Sequence, residues 1–257
     1  MKEKLVYDRK EGEEDIYAAW LRNADERQVL ERALEERLDE WCLTQSDKPF
    51  EIVDIGCGRG SAAAKLFKVL EKRGIVYQYT GVEPSQIQLD QFRSELGEDK
   101  NKRLVCSTLE EFDPTETFDL TYAVHPLYYV PDMVTALKKM LSFSRRLLIA
   151  HHGVKGINEA HQQFRQYVRK GPHIISTHED VTRALDELGV DYMLQVYPTR
   201  TNIQSCKDPN NPEGRNMIKF FLEQPDLPES VIEEVSKYFS RTKLDYMIHD
   251  LGLIITK

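Results

Sequence analysis

From Pro49 onward, short runs of apolar residues alternate with stretches whose apolar positions recur at helical spacing. FEIVDI (50–55), IVYQYTGVE (75–83), RLVCST (103–108), FDLTYAV (118–124) and RRLLIAHH (145–152) read as strands. Between them, SAAAKLFKVLEKRG, PSQIQLDQFRSEL and DMVTALKKMLSF read as helices. This alternation predicts an α/β fold, a Rossmann-like doubly wound parallel sheet with helices on both faces. Beyond about residue 153 the rhythm changes. HEDVTRALDELG predicts a helix, YMLQVYP a strand, residues 209–239 Pro-broken helical material, and LDYMIHDLGLIIT a closing strand. Ahead of the sheet, Leu30, Leu34, Leu38 and Trp41 form one apolar stripe, which Ile16 and Trp20 extend toward the start. NADERQ interrupts it, and Asp25 with Gln28 three residues on is a capping-box pattern for a fresh helix.

The first strand runs into G-x-G-x-G: Asp54, then Gly56, Gly58 and Gly60, then a small-residue helix start. Glycine lets backbone N–H groups meet a ligand with no Cβ in the way, and the carboxyl edge of the strands is where open α/β sheets bind nucleotide-like ligands. A tight turn would use the same residues. The second strand ends in Glu83, placed as a carboxylate that accepts ribose hydroxyls. No Gly-Lys-Ser/Thr follows the loop, which excludes a P-loop.

Composition narrows the partner. With 257 residues, 40% of them hydrophobic, the chain can bury one sizeable core, or one core with a smaller cap. Its net charge of -8 and lack of a basic run argue against nucleic acid and favour a cationic or neutral small molecule. Cys42, Cys57, Cys106 and Cys206 are scattered, without zinc spacing, so neither a disulfide framework nor a metal site is expected. The first three read as packing residues in apolar surroundings. No run is apolar and long enough for a membrane span, and the charged N-terminus does not read as a signal peptide. A cytoplasmic monomer without membrane contact is the expectation.

G-x-G-x-G behind an acidic residue resembles motif I of the seven-strand S-adenosylmethionine-dependent methyltransferases. GVEPSQIQ (81–88), LYYVPDMVTALKKML (127–141), LLIA (147–150), THEDVTRALDELGVDY (177–192) and EGRNMIKFFLE (213–223) follow in order. Together they resemble the histamine N-methyltransferase group, from about Tyr17 to the closing strand. The loop differs from that group at Cys57 and Arg59, and identity elsewhere is thin.

The resemblance implies one seven-stranded methyltransferase domain over 1–257. Residues 1–45 would be a helical lid, 50–151 the cofactor half and 152–257 a substrate-side cap with closing strands. It implies S-adenosylmethionine as cofactor and S-adenosylhomocysteine as product. Gly56, Gly58 and Gly60 would face the methionine moiety, Asp54 would precede them, Glu83 would bind the ribose with Gln88 nearby, and Thr108 and Val124 would flank the adenine. The function implied is N-methylation of a small amine or imidazole-bearing molecule.

On the substrate side, Glu26 lies on the apolar stripe and matches the glutamate that holds substrate in the histamine enzyme. A glutamate in a first helical turn also simply complements the helix dipole. His125, in AVHPLYYV at the end of the fourth strand, could orient or deprotonate the acceptor, or merely terminate the strand. Tyr17 and Trp20 could close the pocket or pack the lid, and Tyr128 could offer an aromatic wall or belong to the core. His151 and His152 end the fifth strand, where one could face the pocket; a metal reading of the pair lacks further ligands at suitable spacing. His249 is placed near a substrate-contacting asparagine of the histamine enzyme. O- or carboxyl-methylation, with charge from Arg165, Arg169 and Lys170, remains an alternative, as does a non-catalytic cofactor-binding module. The run EGEED (11–15) reads as a solvated face, and His173 as unremarkable.

Overall fold

The computed structural model describes residues 6–7, 13, 15–42, 48–169 and 175–257. EGEED falls largely, and His173 and Lys170 wholly, outside these residues. Three short helices precede the sheet: α1 (Ile16–Asn23), α2 (Glu26–Glu36) and α3 (Leu38–Trp41). The alternating half follows as β1 (Phe50–Ile55), α4 (Ala63–Lys72), β2 (Tyr77–Val82), α5 (Gln86–Leu96), β3 (Lys102–Val105), β4 (Leu120–Val124), α6 (Met133–Phe143) and β5 (Leu147–His152). The remainder is α7 (Ile157–Gln163), α8 (His178–Glu187), β6 (Tyr192–Asn202), α9 (Pro212–Phe221), α10 (Glu229–Ser240) and β7 (Tyr246–Thr256).

The seven strands form one sheet in the order β3-β2-β1-β4-β5-β7-β6. β1 to β5 are mutually parallel, whereas β7 enters antiparallel between β5 and β6. The sheet is therefore mixed, not wholly parallel. Its order turns back on either side of β1, the switch point at which such sheets open a crevice beyond the strand ends.

Each sheet face is covered. Leu30, Leu34, Leu66, Leu70 and Phe92 pack one side, and Leu137, Met140, Val181 and Leu185 the other. The apolar stripe at the N-terminus is not continuous. Leu30, Leu34, Leu38 and Trp41 join the sheet core, while Ile16 and Trp20 join a separate cluster with Met217, Phe221 and Ile232. The break is at Ala24–Asp25. Ala24 bridges to Thr201, and the Asp25 carboxylate accepts from the Arg200 backbone N–H at 2.7 Å instead of capping α2. The helix does start at Glu26, but a strand contact, not a capping box, sets its start. Cys106 is exposed rather than packed, and all four thiols are free. Among the described residues no helix is long and apolar enough to cross a membrane.

Candidate active site

The ends of β1, β2 and β4 open onto a cavity of about 370 Å³, within the usual range for small-molecule sites. Ile55, Gly56, Cys57 and Gly58 form its floor, with Val82 and Glu83 beside them and Val124 and His125 opposite. Gly56, Gly58 and Gly60 all have positive φ. A Cβ on Gly56 would lie 2.7 Å from Pro126 Cβ, so the loop can cross the β4 end only as glycine. A Cβ on Gly60 would lie 2.5 Å from Leu96 Cδ1 and 2.8 Å from Phe92 Cδ2. Gly60 therefore serves close packing on α5 and does not line the crevice, contrary to expectation. Asp54 is displaced in the same way. It is buried behind the loop, accepts from Tyr79 Oη at 2.7 Å, and burial pushes its carboxyl up to about 8.

Glu83 accepts from the Gly58 N–H at 3.1 Å and from the Ser85 N–H at 2.9 Å, so two backbone donors fix its carboxylate at the crevice edge. Gln88 donates to the Tyr7 carbonyl and thereby ties the N-terminal segment over the loop. Thr108 and Val124 line the same space. An oriented carboxylate suited to a ribose diol, a floor laid bare at Gly56 and Gly58, and apolar flanks fit S-adenosylmethionine.

The opposite wall is built round Glu26, 1% exposed. Its Oε1 accepts from Arg27 Nη1 at 2.5 Å and from His125 Nε2 at 3.0 Å. Its Oε2 meets His152 Nε2 at 2.6 Å and His249 Nε2 at 3.2 Å. Burial alone would raise the Glu26 carboxyl, but His125, His152 and Arg27 together hold it well below the usual carboxylate range. Burial lowers His125 and His152 against the pull of that carboxylate, which keeps both imidazoles neutral. The permanent cation of the group is Arg27, whose Nη2 also donates to Tyr17 Oη at 3.0 Å. An ionised carboxylate only accepts, so each imidazole donates from Nε2 and keeps its lone pair on Nδ1. In His125 that Nδ1 is buried without a hydrogen-bond partner among the described residues.

Glu26 thus does not stand free to receive the substrate: Arg27 and three imidazoles engage both of its oxygens. His125 has φ +63, a left-handed backbone at the exit of β4 followed by Pro126. Consecutive strand residues face opposite ways, and His152, not His151, lines the crevice. His151 lies behind Tyr128, stacked at 4.2 Å with its Nε2 2.9 Å from Ser176 Oγ, which corrects its assignment to the pocket. His249 is one layer back, behind Glu26, His152 and Trp20. Tyr17, Trp20 and Tyr128 line the cavity, the first two stacked on Phe220. Glu26, His152 and His249, which no sequence spacing connects, bring three atoms of metal-ligand type within 4.8 Å of one another.

Sequence reading did not single out Glu223. It lines the crevice in a left-handed conformation, φ +54, and accepts from Tyr7 Oη at 3.1 Å and Tyr129 Oη at 3.0 Å. Burial pushes its carboxyl up to about 7, against those bonds and the charge of Arg169. Only its place after the aromatic pair that ends α9 hinted at a turn into the site.

Comparison with known proteins gives the same picture. Residues 52–146 match the methyltransferase domain family. Histamine N-methyltransferase of Bos taurus is 22% identical, over 87% of this chain and 86% of that protein. Trans-aconitate 2-methyltransferase of Enterobacter sp. (strain 638) is 32% identical over 37% of this chain and 35% of its own length. Among solved structures, a putative methyltransferase from Bacillus halodurans superposes with a TM-score of 0.62 at 14% identity, covering 88% of this chain and 98% of that one. A plantazolicin methyltransferase holding S-adenosylhomocysteine gives 0.53 at 14% identity, covering 94% and 89%. The glycine floor and Glu83 both fall within the matched residues, and the chain carries a class I S-adenosylmethionine-dependent methyltransferase domain.

Proposed function

We propose that the chain methylates a nitrogen of a small amine or imidazole-bearing molecule, in the chain's single domain. The observation that carries this reading is His125. Its Nε2 is held on an ionised Glu26, and its Nδ1 is an unused, buried acceptor on a residue of the crevice wall. That Nδ1 accepts the hydrogen bond of the acceptor N–H and takes its proton as the new N–C bond forms. The Glu26 carboxylate stabilises the resulting imidazolium, so Glu26 acts through His125 and not on the substrate. Bound S-adenosylmethionine supplies an electrophilic methyl group, held by the glycine floor, Glu83, Gln88, Thr108 and Val124. Tyr17, Trp20 and Tyr128 exclude water and orient the acceptor.

Charge on the walls supports a cationic or neutral acceptor over an anion. Both guanidiniums that line the crevice are already ion-paired, Arg27 with Glu26 and Arg59 with Asp15. Glu223 adds a carboxyl beside aromatic rings, a setting for an ammonium. Two relatives that each span more than four-fifths of the chain are N-methyltransferases by name. The test supplies S-adenosylmethionine labelled on the methyl group with a panel of amines and imidazoles, and with carboxylate and hydroxyl controls. Label should enter an amine or imidazole. His125→Ala should cut kcat by about 100-fold or more, the contribution typical of a general base, with S-adenosylhomocysteine affinity retained. Label in a carboxylic acid alone would overturn the nitrogen assignment.

A further inference from the structure

Three side chains far apart in the chain meet at one corner of Glu26. Glu26 opens α2, His152 ends β5, and His249 lies on β7, where His152 and Leu251 are paired across the strands. We propose that the corner formed by Glu26 Oε2, His152 Nε2 and His249 Nε2 is a binding site for a divalent transition metal, which replaces the two Nε2–H donors as each imidazole moves its proton to Nδ1. The site goes beyond the proposed function, since it holds an ion whichever acceptor is methylated.

Ligand spacing supports it. Tetrahedral ligands about 2.1 Å from one ion lie about 3.4 Å apart. The carboxylate oxygen is 2.6 Å from one imidazole nitrogen and 3.2 Å from the other, hydrogen-bond contacts that an ion would open by less than about 1 Å. All three ligand atoms lie within 4.8 Å, and all three residues are buried.

The surroundings hold the set in place. Arg27 and His125 occupy Oε1 and so turn Oε2 toward the two imidazoles. Thr201 Oγ1 lies 3.4 Å from the Nδ1 of His249, the ring nitrogen that does not face Glu26. Such outer partners fix ligand orientation in metal sites. His152 and His249 sit on strands bonded directly to each other, which gives two ligands a rigid base. Two imidazoles and one carboxylate select zinc, iron(II), cobalt or nickel and not magnesium or calcium, which prefer oxygen ligands. Glu26 and His152 both line the crevice, so the corner borders the substrate space.

The experiment uses the full chain without a histidine tag, stripped with chelator and without substrate, so it reads metal binding independently of which atom is methylated. Zinc is titrated by calorimetry and cobalt by visible absorption. One ion per chain is expected, with ligand-field bands from cobalt. Glu26→Gln, His152→Ala and His249→Ala should each weaken binding by more than about 100-fold, the upper end for loss of a mere outer-shell partner. Cys106→Ser should leave binding unchanged. Because these variants alter a buried cluster, X-ray absorption of zinc-loaded wild-type protein supplies a second readout. It should show nitrogen and oxygen at about 2.0–2.1 Å with imidazole scattering. No bound ion at millimolar metal, equal binding by all variants, or a sulfur shell would each overturn the proposal.

Discussion

Glu223 carries two departures from the ordinary at once, a left-handed backbone on a non-glycine residue and a buried carboxyl with tyrosine partners. Its folded-state pKa is raised to about 7 from an ordinary 4.5, chiefly by burial. The folded protein therefore binds this proton more tightly than the unfolded chain. The resulting stabilisation is complete below the unfolded value and is lost as pH rises through the folded one. Glu223→Gln has no proton to lose, so the melting temperature of this variant minus that of wild type should climb between about pH 4.5 and pH 7. A difference that stays flat across that window would show that the carboxyl does not ionise there on its own. The same residue marks the limit of what amino-acid order conveys. Glu26, His125 and His249 could be singled out one by one. Their convergence on one carboxylate could not, because it depends on pairing between β5 and β7 and on strand parity that favours His152 over His151.

Elements were more legible than contacts. Short apolar runs mark the seven strands, continuous where both faces are buried as in β4 and β5, and stretches of helical period mark the long helices. Two features escaped that logic. The direction of β7 is set by its pairing with β5 and β6, which no local repeat encodes. The interruption of the N-terminal stripe at NADERQ was legible, but that its two parts pack into different cores was not, because residues on either side of Asp25 share a helical period. The glycine loop shows how one motif can serve two ends. Alanine at Gly60 would meet α5 and adopt a disfavoured φ of +88. Overpacking and left-handed strain together should cost about 2–4 kcal/mol. At Gly58 the nearest group is Gln88 Oε1 at 3.6 Å, so the strain there is in the backbone alone and the added methyl stands over the crevice floor. Thermal melts should rank Gly60→Ala well below Gly58→Ala, whereas calorimetry with S-adenosylhomocysteine should find the weaker binding, relative to remaining stability, in Gly58→Ala. The reverse ranking would assign the cofactor wall to Gly60.

At the scale of the whole molecule, the crevice is bounded by two cores. The cofactor floor belongs to the sheet, while Tyr17, Trp20 and Phe220 belong to the cluster of α1, α9 and α10. Links between them near the site are Arg27 to Tyr17, Tyr17 to Ser61 and Gln88 to Tyr7. These links make the two layers one cooperative unit, and ligand bound at the floor should stabilise both. The chain has two tryptophans, and each sits in a different core: Trp20 in the α1–α9 layer and Trp41 against the sheet. Trp41→Phe and Trp20→Phe therefore give separate fluorescence reporters of the two layers. S-adenosylhomocysteine at 100 times its Kd adds about 2.7 kcal/mol to folding. For a chain of this size that amounts to a rise of about 5–10 °C in Tm. Both single-tryptophan variants should report the same rise. If Trp41 alone responds, the N-terminal layer folds independently of the cofactor site. The wall carrying Tyr17 and Trp20 would then be assembled by the acceptor instead of standing ready for it.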